Sequence, residues 1–330
     1  MRTFWAITCS TVLGVAWPAY GHHSDAGYDH ESVVAFEGVV SRYVFRNPHV
    51  TIFVEAEDER GERIEWELET GSTPIMSRSG WSRELLSPGD TVTIRAHPER
   101  TGRPRAMLST LETTDGRLWS QVEADPEATP RATSLDGVWK ALVDSVGFRQ
   151  QLSHSPLTEA GRAAEARFDY FRDSPVAECI AGPPPDHIAS ATYLTEIQIL
   201  EDRAILRNEY FDVTRTVYMD GRGHPEDGER TNEGHSIGWW EDDVLVVDTT
   251  LFADHVSGNG RGVPSGAQKH LVERYSLNED GSRAIIEVFL EDPEFLAEPF
   301  SGRMEMVYTP NLELFSYGCV PELSRQSGFE

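Results

Sequence analysis

Apolar and polar positions alternate early in the chain, and the alternation comes in short runs. Residues 33–45, 49–57 and 62–70 read as three strands in succession; in the second, Val50, Ile52 and Val54 alternate with polar neighbours, and in the third, Ile64, Trp66 and Leu68 share one face. Glu59-Arg60-Gly61, between them, is turn chemistry. Residues 73–79 predict a short helix with Pro74 at its first position. Two more strands are expected over 91–97 and 104–113, after a turn at Ser87-Pro88-Gly89-Asp90 and joined by Glu99-Arg100-Thr101-Gly102. Five strands with one short helix after the third predict a small closed β-barrel of the oligonucleotide/oligosaccharide-binding (OB) type over residues 22–117.

Periodicity then stops. Residues 118–134 are polar and rich in Pro, and read as an exposed connector. From 135 to 330 it resumes. Asp136-Gly137-Val138-Trp139 opens a strand, and its Gly-x-Trp start resembles that of lipocalin-like barrels. Ser155 and Pro156 suit the cap and first position of a helix over 157–171. Strands are expected over 191–200, 204–210, 215–219, 236–240, 244–250, 270–277, 284–290, 303–308 and 312–317. The expected fold class is all-β with minor helix: a small OB-like barrel followed by a larger antiparallel, lipocalin-like barrel. Closure spares so many strands an exposed edge. A barrel of this size is either filled by its side chains or holds a ligand, and its supply of aromatic residues suits an apolar pocket.

Composition narrows the partners. The chain has 330 residues, eight tryptophans and a formal charge of -26, which disfavours nucleic acid and anionic membrane surfaces and favours cations. Residues 1–21 read as a secretory signal peptide: Arg2 supplies the positive start, residues 4–17 the short apolar run, and Ala19 and Gly21 the small residues of a cleavage site. No later segment is apolar enough to be an integral membrane span, so the expected place of work is the periplasm or the exterior. Cleavage removes Cys9 and leaves Cys179 and Cys319, expected to form a disulfide in an oxidising compartment.

Two groups of residues carry candidate chemistry. Cleavage after Gly21 makes His22 the first residue; its amine and imidazole, with His49 and with His23 as competing ligand, would suit Cu(II), so copper is the candidate cofactor. The second group lies within residues 218–252. His235 enters a strand between Gly234 and Gly238 and is the candidate general base, with Asp220 and Asp248 as carboxylate partners. The expectation is that it stands at the wall of an internal cavity of the second barrel. His224, Trp239 and Trp240 are candidate ligand-binding residues, and His255 and His270 are further candidate polar groups. A Ser nucleophile elbow, a Gly-rich phosphate loop, Cys-x-x-Cys and His-Glu-x-x-His are all absent from the sequence.

The same stretch resembles the signature of a family of secreted bacterial two-domain proteins of unassigned activity. The carrying residues are Asp220-Gly221-Arg222-Gly223-His224-Pro225 and residues 234–249, GHSIGWWEDDVLVVDT, with Asp242 where a Gly is usual and Trp239 where a basic residue is usual. The first half resembles a secreted domain of unknown function through His22-His23-Ser24, Asn47-Pro48-His49, Trp66-Glu67-Leu68, Gly80-Trp81 and Pro88-Gly89-Asp90. The resemblance implies a fold and an export route, and no reaction. Three functions stay open: a binding protein holding a small apolar or amphipathic molecule in the second barrel, a copper protein acting through His22 and His49, and a pocket hydrolase or isomerase using His235 and an Asp.

Overall fold

The computed structural model describes residues 27–58, 60–120, 130–142, 145–190, 192–260 and 262–324; the expected signal peptide, His22 and His23 lie outside them. The first barrel is built from β1 (Val34–Val44), β2 (Thr51–Glu57), β3 (Arg63–Glu69), β4 (Thr91–Pro98) and β5 (Arg105–Thr113). β1 pairs with β2 and β4, β2 with β3, and β4 with β5; β3 then runs parallel to β5, Glu67–Glu69 beside Arg105–Met107, and closes the ring. Inward positions such as Ile52, Val54, Leu68, Ile94 and Leu111 are fully buried, so the period of two seen in the sequence is the inside–outside alternation of the wall. Helix α1 (Thr73–Arg78) follows β3 with Pro74 in its first turn, and buries Ile75 and Met76. Leu118–Ser120 (β6), at the head of the expected connector, pairs onto β5.

The second barrel has nine strands in sequence order: β7 (Gly137–Ala141), β8 (Leu194–Ile199), β9 (Arg203–Asn208), β10 (Val213–Tyr218), β11 (His235–Glu241), β12 (Val244–Thr250), β13 (His270–Leu277), β14 (Arg283–Glu291) and β15 (Phe300–Tyr308). β15 pairs with β7 to close it. An up-and-down lipocalin barrel has about eight strands, all antiparallel. With nine, a circuit of antiparallel steps cannot return to its starting direction, so one neighbour must be parallel. That pair is β10–β11, joined by Val217 and Tyr218 against Ser236 and Ile237. The crossover 219–234 carries the chain back to the end at which β10 began.

Two expectations change here. Residues 312–317 form no strand. The ring is already closed, and two of their backbone donors go to carboxylates, Phe315 N–H to Glu209 and Tyr317 N–H to Asp212, as does that of the next residue, Gly318, to Asp212. The expected helix 157–171 is shorter, α3 (Glu159–Glu165), capped by Thr158, whose side chain accepts from Gly161 N. A helix not expected from the sequence, α2 (Ser145–Ser153), precedes it; its Phe148 and Leu152, four residues apart, are both buried. That spacing is a helical signal, in a segment too short to draw notice.

Long connections collect at one end of the large barrel: α2 and the segment up to β8, the loop 251–269 and the loop 292–299. The opposite end is closed mainly by tight turns. Inside, Trp139, Ile197, Leu245 and Leu271 have no exposure and Tyr275 only 2 %. The lumen is thus packed by the chain's own side chains. It also holds a charged pair: Arg215 Nη2 lies 2.6 Å from Glu273 Oε2, and the Tyr275 hydroxyl donates to Glu273 at 2.8 Å. In so dry a place each charge is tolerable because the other is there.

Candidate functional site

Side chains on a strand alternate between its faces. In β11 Ser236 faces inward, and its hydroxyl meets that of Thr249 at 2.8 Å among the core residues of β12. His235, its neighbour, therefore points outward. So do Asp248 and His270, which flank the inward Val247, Thr249 and Leu271. The expectation of His235 at the wall of an internal cavity is corrected by this alternation: the histidine stands on the outer face, at the rim of the loop-rich end.

Register does the assembly. His235 lies opposite Thr250, Ile237 opposite Asp248, and Asp248 opposite Val272, two residues along from His270. The crossover lays His224 over them. His224 Nε2 is 2.9 Å from Asp248 Oδ1, and His224 Nδ1 is 2.9 Å from His235 Nδ1. On the other side His270 Nε2 is 3.1 Å from Asp248 Oδ2, and its Nδ1 is 3.6 Å from Glu291 Oε2. One carboxylate thus joins two histidines, and a third follows behind His224.

The proton positions follow from the partners. A carboxylate only accepts, so His224 donates from Nε2. One of the facing Nδ1 atoms of His224 and His235 must then donate to the other. Burial, with the nearby His224 and Arg222, pushes the His235 pKa below its ordinary value. His270 is pushed up by its hydrogen bond to Asp248 and the charges of Asp248 and Glu291, against the effect of burial. Burial alone would raise Asp248, but the hydrogen bonds from His270 and His224 outweigh it and hold the acid below its usual range. The site therefore contains a histidine favoured as the cation and a second favoured as the neutral base. Two titratable groups driven apart in this way suit acid and base roles.

Beside His270 lies a groove of about 250 Å³, lined also by Gln268, Glu291, Asp292, Leu296 and Glu298. Among the described residues no group of three His, Cys, Asp or Glu side chains is placed to hold a metal ion.

The other expected site residues fall elsewhere. Asp220 is paired with Arg222, whose Nε lies 2.8 Å from Oδ1, and this bond draws its pKa down to about 2. Arg222 covers the Tyr218 ring at 4.0 Å, and that ring stacks on His235 at 5.3 Å between centroids. Asp220 thus reaches His235 only through Arg222 and Tyr218. Trp239 and Trp240 are 41 % and 44 % exposed near the hairpin end of β11. At roughly 3.3 Å per residue, Trp239 is about 13 Å along the strand from His235. His255 is buried in the loop 251–269, where burial and the charge of Lys269 push it down to about 4. Lys269 itself is driven by burial down to about 8 and donates to the Gly258 carbonyl at 2.6 Å. In the first barrel His49 Nδ1 lies 2.9 Å from the Thr70 carbonyl and 3.2 Å from Glu69 Oε1.

Glu291, Asp292 and Leu296 escaped the sequence reading. Their only signal was position, at the end of one strand and in the loop after it. What makes them neighbours of His270 is the pairing of His270 with Glu291.

The fold and rim site together define a two-barrel β protein: a five-stranded barrel with a parallel closure, then a nine-stranded barrel with a histidine–aspartate network on its outer rim. The model of a family of unknown function, DUF6152, matches residues 10–108. The match reaches into β5 and ends before the large barrel. No curated protein matches the chain. Among the described residues no helix is long and apolar enough to cross a membrane.

Proposed function

We propose that the large barrel binds a small molecule at its outer rim, in the groove beside His270, and exchanges a proton with it. The observation that carries this is the groove opening on His270 while Asp248 joins that ring to His224 and, through it, to His235. His270 is the group at the ligand. Its Nδ1 is only loosely engaged by Glu291, so a ligand atom can take that place. Asp248 stabilises the imidazolium; His224 and His235 pass on or receive the second proton. Such an arrangement serves a binding protein with a pH-dependent grip, or a proton-transfer step in a hydrolase or isomerase. The packed lumen favours the rim over the barrel interior as the place for the ligand. The bonded Cys179 and Cys319 support work in an oxidising compartment such as the periplasm. The test is a fragment screen read by NMR. Binders should shift the signals of His270 and Leu296, and His270→Gln should weaken them. If every binder leaves both residues unmoved, the reading is wrong.

A second reading, copper bound by the mature N-terminus, is favoured by His49. Its Nδ1 donates to the Thr70 carbonyl, and a bond of this kind from one ring nitrogen is usual in histidines that bind a metal through the other. His22 and His23 would complete the site. A copper titration followed by electron paramagnetic resonance tests it: one extra N-terminal Ala, or His49→Ala, should each abolish the nitrogen-rich signal.

A further inference from the structure

We propose that the ligand of the rim groove is a small organic cation, a primary ammonium on a short apolar body. This rests on the groove being a ligand site, and it adds the chemical class. Three carboxylates line the groove: Glu291, Asp292 and Glu298. Asp292 is the informative one. It is 1 % exposed, and its Oδ2 accepts from Asn259 Nδ2 at 2.7 Å and Gly266 N at 3.2 Å. Its Oδ1, equally buried, has no hydrogen-bond partner. An unpaired buried acceptor is costly, and on a residue lining a groove it marks where a donor is wanted. An ammonium brings three donors and the complementary charge.

The local cations leave Oδ1 without a donor. Lys269 feels the charge of Asp292, but its ammonium donates to the Gly258 carbonyl and lies against the Phe252 ring, 4.8 Å from its centroid, and gives Oδ1 no hydrogen bond. His270 is held between Asp248 and Glu291. An anion entering the groove would face three carboxylates at once. A metal ion is disfavoured because no three ligating side chains come together there. The body of the ligand is set by the remaining wall, where Pro293, Leu296 and Pro299 are apolar. The volume of about 250 Å³ lies below the roughly 300–1,000 Å³ of pockets for drug-sized ligands, so the body must be short.

The test uses the full chain and three probes of one shape: butylammonium, butyrate and 1-butanol. Butylammonium should shift Leu296 and His270 signals in a saturable way, at least tenfold more tightly than either other probe, and should weaken as salt is raised. Asp292→Asn should weaken it at least fivefold. Because Asp292 also holds the loop, the exposed Glu298→Gln serves as the second variant and should weaken it about threefold. Glu287→Gln, on β14 but outside the groove, should change nothing. Equal or tighter binding of butyrate or 1-butanol at the same residues overturns the charge assignment and leaves the groove as a ligand site. Absence of any butylammonium shift also overturns the proposal, and the fragment screen then decides separately whether the groove binds anything.

Discussion

Arg78 of the first barrel and Glu209 of the second form an ion pair, with Nη1 2.6 Å from Oε2. The Glu209 side chain has no exposure and that of Arg78 only 12 %. Glu209 also accepts from the backbone N–H of Leu194 and of Phe315, so one carboxylate ties α1 to two segments of the large barrel. Nearby, Asn47 bridges the same two bodies: its side-chain amide donates to the Tyr317 carbonyl.

Arg78→Ala should therefore destabilise the protein by about 3–5 kcal/mol, because it strands a buried carboxylate. The double variant Arg78→Met, Glu209→Gln should recover part of the loss. Urea unfolding of the three proteins measures this. Equal stability of the single variant and the parent would show that the pair carries no weight.

Cys179 and Cys319 are bonded, with Cα atoms 5.8 Å apart and a sequence separation of 140. Closing so long a loop restricts the unfolded chain, and the bond should contribute about 2–5 kcal/mol. Thermal melts with and without reductant should differ accordingly, and Cys319→Ser should match the reduced protein.

The rim histidines should titrate apart. His270 should take its proton above the ordinary 6.5 and His235 below it. The signs for stability are opposite. The contribution of His270 is fully present below its unfolded value and is lost as pH rises through the raised folded one. His235 costs stability as pH falls below its unfolded value, since the unfolded chain is protonated first. Asp248 adds stability above its unfolded value, and this is lost as pH falls through the lowered one. In a two-dimensional NMR titration, Asp248→Asn should bring His270 down toward 6.5. An unchanged His270 would rule out Asp248 as the cause.

The strands were legible because one face of each is buried, and a period of two survives in any sequence with that constraint. β2 and β3 show it plainly through Ile52, Val54 and Leu68. The histidines of the rim were legible as chemistry but not as a place. Whether His235 faces in or out is settled by a shift of one residue in register, and nothing local reports that shift. Asp248 was named as a partner of His235, yet His224 stands between them, on a crossover whose path depends on the nine-stranded closure. The extra strand expected over 312–317 had the right composition; it lacked a free edge to pair with.

The glycines around His235 are required by the packing of the chain itself. A Cβ on Gly238 would stand 2.6 Å from Val217 Cγ1 and 3.1 Å from the Val246 carbonyl. The atoms approaching so closely are the chain's own. Gly238→Ala should cost about 1–3 kcal/mol through overpacking, with the exposed Gly223→Ala as the neutral control. Denaturant midpoints compare them, and an unchanged Gly238→Ala midpoint would contradict the close contact.

The parallel pairing of β10 with β11 has a mechanical meaning. It spans only Val217 and Tyr218 against Ser236 and Ile237, and the β15–β7 junction only Met306–Tyr308 against Ala141, Lys140 and Trp139. Every other pairing around the ring is longer. The wall is thus two panels, β7–β10 and β11–β15, stitched along two short hems. His224 rides on the strap that leaves the first panel, while His235, Asp248 and His270 belong to the second. Its two hydrogen bonds are a buckle across one hem, so the hydrogen-bonded histidines of the rim are at the same time what fastens the panels there.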